Sequence, residues 1–374
     1  MAMNTTTSPQ RQCMGPADRD LAMQVTMLRD TIRRKAPMLE PLLAKPGTGN
    51  AQPQQPGKCT LFNVAALEDR LASLQHREDR AVENELQRAK KIGPTRMLAM
   101  PPGVAAIAHL AASFPHFAAV IELVRQRAAL ADVSPGRVFA LPPILLAGDP
   151  GVGKTAFCEA LAGVLGLPTR RADMASATAG FVLSGSHSSW ASARPGAVWS
   201  LLQSPMAAGM LLLDELDKAS NGNYPALGPL YTLLEPSSAR HFSDECIDLE
   251  VDASHVMTVA TCNDADRIEA ALRSRFTEFV IPAPDSSQML AIARSVYRTR
   301  RQQSAWGEVF PEELNLDAAA ELTACTPRQV GGLLEAAVAH AASEQRLTIE
   351  PADIQYARTK QQQRKPAARR VGFL

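Results

Sequence analysis

The sequence predicts an α/β fold built on a central parallel sheet, followed by a small all-helical domain and preceded by a helical segment. Three observations predict it. Four short apolar runs, Ile144–Ala147, Met210–Leu213, Val256–Thr261 and Phe279–Ile281, have the length and apolarity of central strands covered on both faces. A glycine-rich stretch follows the first run and opens a helical segment. Beyond Pro284 the strand-like runs stop and helix-start signals take over.

The chain has 374 residues, with 39 Lys+Arg against 38 Asp+Glu. The resulting net charge of +1 argues against a protein that coats nucleic acid, and leaves room for a local basic groove. Its six cysteines are scattered without a C-x-x-C pair, which disfavours a zinc site or a disulfide framework and favours a reducing compartment. The polar start, Met1 to Gln12, has no signal-peptide core, and no apolar run reaches the roughly 18 residues of a membrane span. These features predict a cytoplasmic protein with no membrane partner.

Along the chain, residues 1–60 mix Pro, Gln, Thr, Gly and Lys and are expected to form a mostly disordered arm, with one helix around Leu21 to Ala36. Residues 61–104 are expected to be a charged helical linker. There Leu67, Leu71, Leu74, Val82, Leu86 and Ala89 recur at helical spacing up to Gly93-Pro94, as one long helix or a helical hairpin. The α/β domain spans 105–284 and includes a helix near Phe117 to Leu130. Residues 285–358 form the helical domain, opened by the capping box Asp285-Ser286-Ser287-Gln288, with a second start at Thr326-Pro327. Residues 359–374, including Arg364, Lys365, Arg369 and Arg370, read as a basic tail.

The strongest chemical signal is Gly148-Asp149-Pro150-Gly151-Val152-Gly153-Lys154-Thr155, a complete G-x-x-x-x-G-K-[ST] match between a strand and a helix. The glycines let backbone N–H groups wrap phosphates, and the helix N-terminus adds its positive dipole end. Lys154 would reach the β- and γ-phosphates of ATP and Thr155 would ligate Mg²⁺. Asp149 is an unusual neighbour for phosphates, and its side chain must point away. Further on, the run Met210-Leu211-Leu212-Leu213 delivers Asp214 and Glu215 at a strand end. Asp214 would hold the metal and Glu215 would polarise an attacking water.

With these motifs in place, the stretch from about Phe117 to Asp353 resembles an AAA+ ATPase module, and within that superfamily the ATPase part of Lon proteases. Besides Gly148–Thr155, the resemblance rests on Leu211–Lys218, Leu234-Glu235-Pro236, His241-Phe242-Ser243-Asp244 and Leu249–Asn263. The pairing of Phe242-Ser243-Asp244 with Leu249-Glu250-Val251-Asp252 points to the Lon-like group. The resemblance implies that Asn263 is sensor 1, that Arg328 is sensor 2, and that the Leu272–Phe276 segment carries an arginine finger. Arg275 is the favoured finger, and one extra residue relative to the Lon pattern keeps Arg273 as a candidate. Trp190 and Ala191 fall at the pore loop that grips unfolded polypeptide, with Ala191 smaller than the family's aliphatic residue.

The implied activity is Mg²⁺-dependent hydrolysis of ATP by a homo-oligomeric ring, a hexamer, that remodels or threads protein substrates. About twenty residues follow Asp353, too few for the peptidase domain of Lon, so intrinsic proteolysis is not expected. The alternative is a nucleotide-gated scaffold or a DNA-associated assembly factor with slow turnover. Net charge does not support a DNA partner.

Overall fold

A computed structural model describes residues 57–74, 80–176, 180–187, 193–219 and 227–364. Strand β1 (Lys58–Thr60) pairs antiparallel with β2 (Thr95–Met97), with Cys59 opposite Arg96. Between them lie α1 (Val64–Ser73) and α2 (Arg80–Ile92). Asn63 caps α1 by accepting the Ala65 N–H at 2.9 Å. Gly93, with φ +88°, closes α2 as its N–H returns to the Ala89 carbonyl. Two sequence expectations are corrected here. Residues 58–60, assigned to the arm, are a strand, and the 61–104 segment contains β2 besides its two helices, which correspond to the helical hairpin of the two alternatives.

Nor is this segment an appendage. Leu67, Val82, Leu86 and Ala89 belong to one buried cluster with Leu145, Trp199, Leu211 and Leu213 of the α/β region. The indole N–H of the fully buried Trp199 donates to Glu85 of α2 at 3.1 Å, which satisfies the one polar atom that ring carries. The charges of α1 and α2 therefore mark their solvent faces, while their apolar stripes complete the core.

Helix α3 (Val104–Ser113), which the sequence reading did not identify, leads to α4 (Ala118–Val133) at the place expected for a helix. Strand β3 (Ile144–Ala147) then runs into α5 (Lys154–Leu165), and β4 (Thr169–Asp173) and β5 (Met210–Asp214) follow. A two-residue hairpin, β6 (Phe242–Ser243) with β7 (Glu250–Val251), precedes β8 (Met257–Cys262) and β9 (Thr277–Val280). The main sheet has the order β4-β5-β8-β3-β9 and all its pairs are parallel. Every residue of β3, β5 and β8 is buried, the condition of strands covered on both faces. Parallel pairing brings the carboxyl ends of these three central strands to one edge, where an open α/β sheet binds ligands.

The regular elements from Ser286 onward are all helical: α6 (Ser286–Gln303), α7 (Leu316–Glu321), α8 (Pro327–Ser343) and α9 (Pro351–Arg364), joined by short 3₁₀ turns and irregular loops. The capping box at Asp285 forms as expected, with Asp285 and Gln288 exchanging bonds of 2.9 and 3.0 Å. At Thr326 the Gln329 side chain accepts the Thr326 N–H at 2.9 Å. A separate apolar cluster, including Met289, Ile292, Leu322, Leu333 and Leu334, holds these helices together. Buried Asp353 ties the start of α9 to the end of α8 by accepting from Arg346 (2.7 and 2.8 Å) and from the Glu350 N–H (2.8 Å). Helix α9 runs to Arg364, so the first six residues of the expected basic tail are helical.

Because Leu67 and Leu86 sit in the shared core with no exposed surface, Leu67→Ala or Leu86→Ala is expected to destabilise the α/β unit by about 2–5 kcal/mol. Urea unfolding followed through the buried Trp199 measures this. An unchanged midpoint would show that α1 and α2 fold apart from the sheet.

Candidate functional site

The loop between β3 and α5 is shaped by its glycines. A Cβ on Gly148 would lie 2.6 Å from the Ile281 carbonyl oxygen, so only glycine lets the loop leave β3 against β9's exit. Gly153, the N-cap of α5, holds φ at +100°, and a substituted residue there would be strained. Below the loop, Phe157 of α5 stacks on Phe117 at 4.2 Å, and Phe114 packs edge-on against both rings. This aromatic base gives the first turn of α5 a rigid seat.

Lys154 is buried, and its ammonium donates to the carbonyls of Gly148 (2.6 Å) and Asp149 (3.1 Å) and to Asn263 Oδ1 (3.0 Å). Burial pushes its pKa below the ordinary lysine value, opposed by nearby acidic groups. Thr155 Oγ1 lies 3.1 and 3.3 Å from the two Asp214 carboxylate oxygens. Asp214 also accepts from Thr261 Oγ1 at 2.5 Å and from the Arg171 guanidinium of β4. Thr261 in turn accepts the Glu215 N–H at 3.1 Å, so one hydroxyl fixes both acidic residues at the end of β5. Glu215 has φ +56° and ψ +48°, a left-handed conformation uncommon for a side chain of this size. Its carboxylate pairs with Lys218 at 2.8 Å.

Asn263 follows β8 directly. Its N–H and that of Asp264 both donate to Asp217 Oδ2 at 3.2 Å, which sets the turn that aims Asn263 at Lys154. Arg328 comes from the other side, in the first turn of α8. Its N–H donates to the Gly151 carbonyl at 3.3 Å, and its exposed guanidinium makes no hydrogen bond or ion pair among the described residues. A cleft of about 1100 Å³ collects the loop, Asp214, Glu215, Asn263 and Arg328 between the sheet edge and the C-terminal helices. The same cleft is also lined by His109, Ser113 and His116 and by Ile292, Ser295 and Thr299 of α6. Ser295 donates to Ser113 at 2.9 Å, a direct link from α6 to α3.

The expected residues thus divide into three groups. Gly148 to Thr155, Asp214, Glu215, Asn263 and Arg328 come together around one cleft. Arg273 and Arg275 do not line it. Arg273 is held by Glu278 (2.7 and 2.9 Å) and by Asp266 (2.6 Å), whereas Arg275 meets Glu235 at 3.2 Å and lies 5.4 Å from the centre of the Tyr231 ring. Trp190 and Ala191 lie outside the described residues.

The described residues on either side of Trp190 and Ala191 in sequence are held together. Ser186 and Arg194 exchange bonds of 3.0 and 2.8 Å, and the buried Asp244 accepts the N–H groups of Gly196 (2.7 Å), Cys246 (3.0 Å) and Ile247 (3.2 Å). Sequence reasoning passed over Arg171, Thr261, Asp217 and His116. His116 donates from Nε2 to the Val152 carbonyl at 2.8 Å and is buried, which pushes its pKa down. A buried histidine beside an aromatic gives no local signal that its partner is a carbonyl of the phosphate-type loop.

Oxygen donors from Thr155 and Asp214 a hydrogen bond apart suit a hard divalent cation such as Mg²⁺. Among the described residues no cluster of three or more His, Cys, Asp or Glu could hold a metal, so its remaining ligands would be phosphate and water oxygens.

A parallel sheet that feeds a glycine loop into a helix start, with an Asp beside the helix's first hydroxyl, defines a P-loop nucleotide-binding domain. Residues 144–282 match the ATPase family associated with various cellular activities (AAA). Lon protease homolog 2, peroxisomal, of Caenorhabditis elegans is 33% identical over 130 residues, 34% of this chain and 17% of that protein. The Lon protease of Lawsonia intracellularis is 32% identical over 158 residues, 41% and 19% of the two chains. Lon protease 2 of Thermus thermophilus is 30% identical over 207 residues, 54% and 25%. The chain thus spans a quarter or less of the length of these relatives. A solved structure of the Thermotoga maritima RuvB Holliday junction branch migration motor is 16% identical, with a TM-score of 0.41 over 69% of this chain and 70% of that one. Residues 144–282 therefore have the AAA P-loop fold, with a five-stranded parallel sheet and a helical region after it, and this part of the chain is similar in sequence to Lon proteases.

The Asp244 clamp has a pH signature. Burial outweighs its three N–H donors and pushes its carboxyl up from 3.8 to about 6. The folded protein therefore holds this proton more tightly than the unfolded chain. Its contribution to stability is complete below the unfolded value and is lost as pH rises through about 6. The melting temperature of the wild type minus that of Asp244→Asn is expected to fall between pH 4 and pH 7. A difference that rises over that window would contradict the assignment.

Proposed function

We propose that the chain binds ATP with Mg²⁺ in this cleft and hydrolyses it to ADP and phosphate. The motion would remodel or thread a protein substrate, as a homo-oligomeric ring, a hexamer, in the cytoplasm. One observation carries the reading: two phosphate-type motifs 60 residues apart in sequence meet as the 3.1 Å contact of Thr155 with Asp214, with Asn263 and Arg328 converging on the same cleft.

Placement around the cleft supports the following roles. The loop N–H groups and the α5 dipole receive phosphate oxygens, and Lys154 exchanges its carbonyl partners for them. Thr155 and Asp214 would hold the Mg²⁺, whose charge would offset that developing on the phosphoryl oxygens. Glu215 accepts a proton from the attacking water after release from Lys218, and Asn263 orients that water. Arg328, on a helix that also bonds the loop, reports the phosphate state to the C-terminal helices. A finger that serves a neighbouring subunit has no reason to line its own cleft, and Arg275, with one carboxylate partner, is freer to leave than Arg273 with two. Trp190 and Ala191 grip a passing chain in this reading, as the resemblance to the Lon pore loop implies. The Lon relationship supports this assignment of a pore-facing loop and assembly into a ring.

The Glu215–Lys218 pair favours a second reading, a nucleotide-gated scaffold with slow turnover, since the base is engaged. Stimulation separates the two. Unfolded polypeptide raises the ATPase rate of a threading motor, while a scaffold responds to one specific partner or to DNA.

Lys154→Ala removes a charged hydrogen-bond donor and is expected to weaken ATP binding about tenfold to a hundredfold, as measured by calorimetric titration. Glu215→Gln is expected to keep ATP affinity and to lower kcat by about 10²–10⁴. Hydrolysis by Glu215→Gln at the wild-type rate would remove Glu215 from the role of base.

A further inference from the structure

Arg171 also lines the cleft, and no part of the proposed reaction uses it. It lies on the edge strand β4, two residues from the strand's end, and it reaches across to the carboxylate of Asp214 on β5. The two ends of this pair differ. The Asp214 side chain is 6% exposed and is held by Thr155 and Thr261, whereas the Arg171 side chain is 52% exposed and meets no other acceptor among the described residues. The carboxylate is therefore fixed and the guanidinium is free to move. A buried carboxylate also needs a counter-charge, and Thr155 and Thr261 supply only neutral donors.

We propose that Arg171 is the resident counter-ion of Asp214, and that it surrenders this carboxylate when a divalent cation enters. The proposal rests on the reading of Asp214 as a metal-holding residue. Arginine and the metal ion compete for the same oxygens, and their like charges oppose joint occupancy. Entry of the ion and departure of the guanidinium are one exchange. Arg171 thereby lowers the affinity of the nucleotide-free site for a bare cation and makes that site wait for a nucleotide that brings phosphate oxygens with the metal. Once displaced, its long side chain remains at the cleft wall beside Lys154 and Thr155, where an anion can receive it.

The test titrates Mn²⁺ alone into the nucleotide-free full chain and reads free Mn²⁺ by electron paramagnetic resonance. Arg171→Gln and Arg171→Met are expected to bind Mn²⁺ about fivefold more tightly than wild type, the scale of one half-exposed ion pair. Arg171→Lys keeps the charge and stays within about twofold. Arg170→Gln removes an equal charge from the preceding, oppositely facing position and leaves affinity unchanged. In an Asp214→Asn background, Arg171→Gln has no effect. Equal or weaker Mn²⁺ binding by both neutral variants overturns the exchange, as does an equal gain in Arg170→Gln, which would reduce the effect to net charge. Should no variant bind Mn²⁺ while the wild type binds Mg²⁺-ATP in a parallel titration, the exchange fails and the nucleotide reading stands. Absence of ATP binding in that titration overturns both.

Discussion

The carboxylate of Asp214 is the point on which the cleft depends. It ends a strand buried along its whole length, accepts a hydroxyl from β8 through Thr261, touches the first turn of α5 through Thr155, and holds Arg171 on β4. Four elements adjacent in space and distant in sequence are registered by one side chain. Such a hub works only if its backbone is immobile. The complete burial of Met210–Asp214, flanked on both sides by parallel strands, supplies that rigidity. Thr261 extends the registration by one residue, because it also fixes the N–H of Glu215 and so the left-handed turn that swings this carboxylate out of the strand.

The cleft has a fixed wall and a hung wall. The fixed wall is the strand edge with its loop, seated on the Phe114, Phe117 and Phe157 rings. The hung wall is the α6–α9 unit, which has its own apolar cluster and reaches the loop through the Arg328 N–H on the Gly151 carbonyl and reaches α3 through Ser295 on Ser113. The two apolar clusters are separate, and the cleft between them is lined by polar and apolar side chains alike, Leu110, Phe114, Ile292 and Val296 among them. The α1–α2 segment belongs instead to the fixed wall, since its leucines share the sheet's core.

Much of this was legible in the sequence. Ile144–Ala147 is the strand β3, and the expected strands at 210, 256 and 279 lie within two residues of β5, β8 and β9. Strands β3, β5 and β8 are buried throughout as their short apolar runs predict, whereas β9, expected to be covered on both faces, is a partly exposed edge strand. Helix starts at Asp285 and Thr326 were legible for a local reason, as their caps are made by neighbours in sequence. Strand β4 was not legible. Thr169-Arg170-Arg171-Ala172-Asp173 is an edge strand that exposes three of its five residues, so it carries no apolar run. With β4 unseen, Arg171 had no place beside Asp214. Helix α3 was hidden differently, being alanine-rich and lacking a side-chain cap. Thr261, Asp217 and His116 act through partners remote in sequence, and residue type alone does not announce such contacts. The Lys218 partner of Glu215 was within reach at i+3, yet a surface-type pair gave no reason to suspect that it engages a site residue.

The central claim is that a nucleotide joins the two walls of the cleft through the loop and the start of α8. Hydrogen exchange of the full chain, with and without Mg²⁺-ATP in the Glu215→Gln background, tests it directly. The account predicts that protection rises together at residues 148–155, at 210–215 and at 326–330. Protection of the loop with no change at 326–330, or a response confined to other segments, would contradict it.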